Sequence, residues 1–282
     1  MDRAELQAAL QSAGFSQLAK EIDGLAGWSI RLTSTPADEA ALPVGASRLG
    51  GVPDLPSDLA WPDWKGLPLS FVAQFRLDDL HTYDKDSLLP PKGMLWFFYD
   101  AKQETYGEDP KDAGGWRVFF KEDASSLQRA SFPAKLPKDS RFHACSLAFS
   151  SELTLPLEPQ LVITGLEWTD DDQKKYDTFL STYPSADDHT QIHNRVLGHS
   201  DTLQDDMRQQ CQLVSNGVTD PDDPKAEKLM QGATEWHLLL QIDSDENAGM
   251  QWASTGMLYY WIKKADLQAR HFDSTWLVLQ SE

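Results

Sequence analysis

Cysteine is scarce in this chain: 282 residues hold only Cys145 and Cys211. Two thiols make no disulfide framework, which points to a reducing cytoplasm with both thiols free and buried. Long apolar runs are missing as well. None approaches the ~20 residues of a membrane span. The start, Met1 to Leu6, has neither the basic opening nor the apolar centre of a secretory signal. Positive charge is in short supply, with 25 Lys+Arg against 44 Asp+Glu and a formal net charge of −19. Such a field repels nucleic acid and anionic membranes and speeds encounter with a basic partner. The excess is uneven. Residues 165–235 hold 15 Asp+Glu against 6 Lys+Arg, a net of −9.

Catalytic signatures are also lacking. There is no Gly-x-Gly-x-x-Gly and no phosphate loop. Gly45-Ala46-Ser47-Arg48-Leu49 misses the second glycine of a nucleophile elbow. Cys145 sits in an apolar strand pattern, where a thiol is usually inert. His189 and His193 are four apart, but Thr190, Gln191 and Ile192 between them give no zinc-protease signature. His199 and Cys211 join them only through the fold. Asp243 to Asn247, with Gly249, resembles the start of a calcium loop. Ala248 stands where that loop wants Gly, and Ser254 where a bidentate Glu would close it. The simpler reading is a polar turn between strands. The expectation is therefore a chain with no catalytic residue, no cofactor and no metal, and not an enzyme.

What the chain does have is a core and a repeat. Hydrophobic residues make up 40% and Trp numbers ten, ample for a globular interior. Phe71-Val72-Ala73-Gln74-Phe75 is echoed by Leu238-Leu239-Leu240-Gln241-Ile242. Each is followed by Gly-Met-Leu plus three aromatics, at Gly93–Phe98 and at Gly256–Trp261. This predicts an internally duplicated α+β fold: two related mixed-sheet units with helices packed on them. The divisions are a helical segment over 1–45, a first unit over 46–160 and a second over 161–282, in one compact domain or two. An amide inside an apolar strand must be hydrogen-bonded, so Gln74 and Gln241 are read as structural or as lining a cleft between the units.

In chain order, Leu6, Leu10, Leu18, Ile22 and Leu25 predict a helix over 2–26, divided near Gly14. Trp28–Leu32 reads as a strand, and the Pro- and Gly-rich stretch 43–68 as a long ordered loop anchored by Leu49, Leu55 and Trp61. Strands are expected at Phe71–Leu77, Gly93–Tyr99, Gly115–Lys121 and around Cys145–Leu155. The acidic stretch predicts helices from Asp170 to about Tyr183, from about Asp187 to Leu197, and from Gln204 to Val214. Strands follow at Trp236–Asp243, Gly256–Lys263 and Trp276–Gln280. Their pairing, parallel or antiparallel, is left open by the pattern.

Ser47–Pro56, Trp61-Pro62 and Gly66–Leu80 together resemble the YwqG-like family of bacterial proteins. Leu197–Ser200, Gln204–Met207, Trp236–Asp245 and Gly256–Ile262 resemble it too, in the right order from about Ser47 to Gln280. The family is a domain of unknown function, so it lends no catalytic residues. Some members resemble immunity proteins that block toxins delivered by secretion systems of the type VI kind. The resemblance thus implies a cytoplasmic protein that binds a cognate toxin, with a basic nuclease the natural target of an acidic surface. The candidate partner-binding residues are Asp170, Asp171, Asp172, Asp187, Asp188, Asp205 and Asp206. The alternative is a module that binds a small molecule or peptide between the units.

Overall fold

A computed structural model describes residues 2–159, 162–163, 166–182 and 192–281. The strands are Gly27–Pro36 (β1), Arg48–Leu49 (β2), Asp54–Pro56 (β3), Asp63–Trp64 (β4), Leu67–Pro68 (β5), Ser70–Arg76 (β6), Met94–Tyr99 (β7), Trp116–Lys121 (β8), Leu127–Arg129 (β9), Cys145–Thr154 (β10), Asn194–Leu197 (β11), Trp236–Asp243 (β12), Gly256–Lys263 (β13) and Trp276–Ser281 (β14). The helices are Arg3–Ser12 (α1), Ala19–Gly24 (α2), Leu77–Leu80 (α3), Asp170–Leu180 (α4), Met207–Val214 (α5), Ala226–Met230 (α6) and Lys264–Ala269 (α7).

Helix and strand are mixed, as the α+β reading expects, but there are not two mixed sheets. One large sheet runs β14-β13-β12-β11-β1-β10-β2-β6-β7-β8, and every pairing within it is antiparallel. Two long strands, β1 and β10, sit in its middle, paired from Gly27↔Thr154 to Pro36↔Cys145. They weld the strands of the first half to those of the second.

The ends of the sheet come nearly together. The rings of Trp116 on β8 and Trp276 on β14 lie 4.9 Å apart, edge to face. Trp116 Nε1 donates to the Thr275 carbonyl at 2.8 Å, and Leu279 N to the Tyr106 carbonyl at 3.2 Å. Inside, Phe97 meets Tyr260 at 5.1 Å. Each large apolar side chain buried this way adds about 1.5–3 kcal/mol.

β7 shows how sequence sets these layers. Leu95, Phe97 and Tyr99 point into the main core, while Met94, Trp96 and Phe98 face a second cluster with Leu55, Leu69 and Phe71. This is the two-residue period of a strand covered on both sides. The cover is the Pro- and Gly-rich stretch, whose Trp61 and Trp64 pack on that outer face. A third cluster joins α1 and α2 to α4 through Leu6, Leu10, Phe15, Ile22, Tyr176 and Phe179, over Leu153 of β10 and Leu155 just after it. The first helix begins on a capping box between Asp2 and Glu5.

One helix expectation is overturned. Residues 194–197, read as the end of a helix, are strand β11, held between β1 and β12. Leu197 has φ 63° and Gly198 φ 76°, so the chain leaves in the left-handed region rather than continuing any helix.

Candidate functional site

The most heavily bonded polar groups in the interior form two matching clusters. Each grows from a short strand whose arginine is followed, two and three positions on, by a left-handed pair. In the first, Arg48 of β2 precedes Gly50 and Gly51, at φ 57° and 69°. In the second, Arg195 of β11 precedes Leu197 and Gly198. A Cβ on Gly50 would stand 2.1 Å from the His143 carbonyl oxygen. One on Gly198 would stand 2.5 Å from Ser29 Cβ and from Thr154 Oγ1. The turn folds the chain back, so an aspartate six residues after each arginine, Asp54 or Asp201, returns beneath it.

Arg48 is opposite Gln74 in the sheet, and Arg195 is opposite Gln241. Gln74 Oε1 accepts from Asp54 N at 2.8 Å, and its Nε2 donates to the Ala46 carbonyl at 2.8 Å and Asp54 Oδ2 at 3.0 Å. Gln241 repeats all three. Its Oε1 accepts from Asp201 N at 2.8 Å, and its Nε2 donates to the His193 carbonyl at 2.7 Å and Asp201 Oδ2 at 3.0 Å. The next ring matches too. Trp96 Nε1 donates to the Asp54 carbonyl at 2.9 Å, and Tyr259 OH to the Asp201 carbonyl at 2.6 Å. Ser47 accepts from Arg76 N at 2.9 Å, and Asn194 from Asp243 N at 2.8 Å. Both strands bulge two residues before the glutamine.

The surroundings differ. The first cluster is sealed by Arg129 of β9. Its Nε donates to Asp54 Oδ1 at 2.9 Å, its Nη2 to the Leu42 carbonyl at 2.9 Å, and its Nη1 to the Glu39 carbonyl. Glu39 also pairs with Arg48. The Asp54 side chain is 0% exposed. Burial pushes its carboxyl up, but the bonds from Arg129 and Gly45 N and the charge of Arg48 hold it below the usual carboxylate range.

The second cluster opens on a pocket of about 410 Å³. There the Asp201 side chain is 28% exposed. Arg195 reaches it at 2.6 Å through Nη2 and 3.1 Å through Nη1, and its Nε lies 3.3 Å from Glu152. His193 Nδ1 is 3.0 Å from Asp201 Oδ2. Burial raises the Asp201 carboxyl, but Arg195 and His193 outweigh it and keep it ionised well below the ordinary range. Asp243, on the same wall, is pushed up by burial. Asp177 of α4 faces the pocket from the other side, and Leu155 and Met257 give it apolar walls.

Gln74 and Gln241 thus sit in separate clusters, with four strands between β6 and β12. Of the acidic candidates, Asp170 and Asp171 are exposed in the first turn of α4, and Asp205 is exposed before α5. Asp172 closes a capping box with Thr169. Asp206 caps α5 and pairs with Arg208. Carboxylates at helix starts offset the positive dipole end, so part of the acidic excess has a local cause. Asp187 and Asp188, with His189, lie outside the described residues.

Asp243 to Asn247 forms a turn in which Asp245 accepts from Asn247 N at 3.0 Å and Asn194 Nδ2 at 2.9 Å. Among the described residues no group of three or more His, Cys, Asp or Glu is arranged to hold a metal ion. Both cysteines are free and buried, and burial pushes the Cys145 thiol up to about 11. No described helix is long and apolar enough to cross a membrane.

The sequence reading missed Arg48, Arg195, Asp54 and Asp201 as site residues. A signal was present: Arg-x-x-Gly-x-x-Asp occurs at 48–54 and again at 195–201, each ahead of a strand with a central Gln. No curated protein matches this chain. A family model does match, over residues 47–281, which takes in both clusters and all but the first strand of the large sheet, and on that match the chain belongs to the family described as domain of unknown function DUF1963.

Proposed function

We propose that this chain is a bacterial immunity protein, acting in the cytoplasm, that binds and neutralises a cognate toxin of the type VI kind. In this reading it is a YwqG-like member of its family, built from two related units, and not an enzyme. The observation that carries it is the placement of exposed carboxylate. Asp170 and Asp171 open α4, the same helix lines the pocket through Asp177, and Asp205 follows the Ser200–Leu203 stretch that also lines it. The chain's net charge of −19 favours capture of a basic partner, and a nuclease is basic because its substrate is polyanionic.

Co-expression with the product of the neighbouring gene tests this. Growth restored by this chain, and weakened by Asp170→Asn/Asp171→Asn/Asp205→Asn, is the expected result. A neighbour that is harmless alone, or equally toxic with and without this chain, removes the reading.

A second reading rests on the pocket itself. Its volume of about 410 Å³ lies within the ordinary range for small-ligand sites, and it combines apolar walls with a few convergent polar groups. It opens beside Asp201, whose side chain is 28% exposed, whereas that of the matching Asp54 is 0% exposed. In that reading the chain is a small-molecule or peptide-binding module.

A further inference from the structure

We propose that the pocket beside Asp201 receives an alkylguanidinium group, either a free metabolite or an arginine side chain of a bound protein. This rests on the second reading above, that the pocket is a binding site.

The argument is the internal comparison. In the first cluster the outward oxygen of the aspartate, Asp54 Oδ1, is taken by the Arg129 guanidinium. That group arrives on β9, a separate element, and finishes its hydrogen bonding on the backbone carbonyls of Glu39, Leu42 and Pro43. The first site is thus a carboxylate-and-carbonyl cradle filled by the chain's own arginine. The second cluster has the same arginine, aspartate and glutamine and the same glutamine bonds, but Arg195 itself reaches both oxygens of Asp201, through Nη1 to Oδ1 at 3.1 Å and through Nη2 to Oδ2 at 2.6 Å. Among the described residues, the ion-pair partner of Asp201 is Arg195, joined by the His193 ring at 3.0 Å, both on or beside the strand that builds the cluster; no arginine from a separate element reaches it. Where Arg129 closes the first, the second opens on the pocket.

The pocket has the groups an alkylguanidinium needs. Asp177, Asp201 and Asp243 line it against Arg195, and Glu152 already pairs with that arginine, so the balance is negative. Asp177 also accepts from Gln173 at 2.7 Å, and Asp243 from His193 N at 2.9 Å, so both carboxylates are oriented. Ser200 and Thr202 add hydroxyl oxygens. Leu155, Leu157 and Leu180 provide apolar surface for a methylene stem. Planar guanidinium matches paired carboxylate oxygens better than a point ammonium does. Burial raises the Asp243 carboxyl, and a cation placed beside it would pull it back down.

Calorimetric titration of the full chain with agmatine, N-acetylarginine amide, citrulline and acetate is the test. The guanidinium probes are expected to bind and citrulline, the neutral isostere, is not. Asp177→Asn should weaken binding about tenfold, in line with a charge-assisted hydrogen bond. Met257→Trp should fill the pocket and abolish binding. Tighter binding of agmatine identifies a metabolite, and tighter binding of the blocked arginine identifies a protein side chain. Chemical rescue gives an independent arm: Arg129→Ala should lower stability, and methylguanidinium should recover part of the loss while urea-matched controls do not. If acetate or citrulline binds while both guanidinium probes fail, the pocket is a site for another class and this proposal falls alone. If no probe binds and Arg129→Ala gains nothing from methylguanidinium, the guanidinium assignment is overturned outright. The toxin reading is scored separately, by growth rescue with Met257→Trp.

Discussion

His199 joins the outer helices to the inner sheet. Its backbone N donates to Thr154 Oγ1 at 2.8 Å, and its Nε2 lies 2.8 Å from the Leu25 carbonyl oxygen. Burial pulls the imidazole down from 6.5 to about 4, so the folded chain holds it neutral. The sign follows from which state takes the proton first. Between pH 6.5 and 4 the unfolded chain is protonated and the folded chain is not, so this group's contribution is complete above 6.5 and fades as pH falls towards 4. Urea midpoints at pH 7 and pH 5 should differ for the natural chain, and His199→Gln should narrow that gap. An unchanged gap would assign the slope to other groups. The same scale explains what stayed hidden in the sequence. An arginine and an aspartate six apart in a Gly-rich loop look like solvated charges. Only the left-handed pair between them turns one onto the other, and in the second cluster half of that pair is Leu197, a residue that gives no hint of positive φ.

Among the elements, the glutamine strands were legible because their surroundings are distinctive: an apolar run, a central amide, then Gly-Met-Leu and aromatics. Their short partners were not. β2 has two residues and β11 four, too few for any period, and β11 carries polar Asn194 and Arg195 facing the cluster. A stretch of that composition after an acidic helix reads as more helix. The matched bonds lead to a matched cost. Gln74→Ala leaves the Asp54 N–H and the Ala46 carbonyl without their partner, and Gln241→Ala does the same to Asp201 and His193. Each should lose about 1–3 kcal/mol per stranded group. With four strands between the two sites, the double variant should equal the sum of the singles to within about 0.5 kcal/mol. Chemical denaturation of the four proteins measures it. A clear excess over additivity would mean that the clusters communicate through β1 and β10.

For the molecule as a whole, local pattern identified most strands but not that they form one sheet. That information lies in pairings such as Gly27↔Thr154, which no window of neighbouring residues contains. The same distance between partners governs the seam. Trp116 is bonded to the Thr275 carbonyl and packed on Trp276, so it holds the last strand against the eighth. Trp116→Ala should cost about 3–5 kcal/mol, the usual range for a large buried aromatic. Hydrogen exchange should then rise first in β14 and β8, while β1 and β10 stay protected. Uniform loss of protection would argue against the seam as a separate weak point.

The position of β1 also has a bearing on synthesis. Its neighbours are β10 and β11, and its nearest register partner across that ladder, Cys145 opposite Pro36, lies 109 positions later. At the usual rate of about 5–20 residues per second, β1 spends roughly 5–20 s outside the ribosome with both edges bare. During that interval Ile30 and Leu32, later sealed in the core, have no sheet to join. The central strand of the finished protein thus waits unpaired while more than a hundred further residues are made, and a chaperone would have reason to hold it.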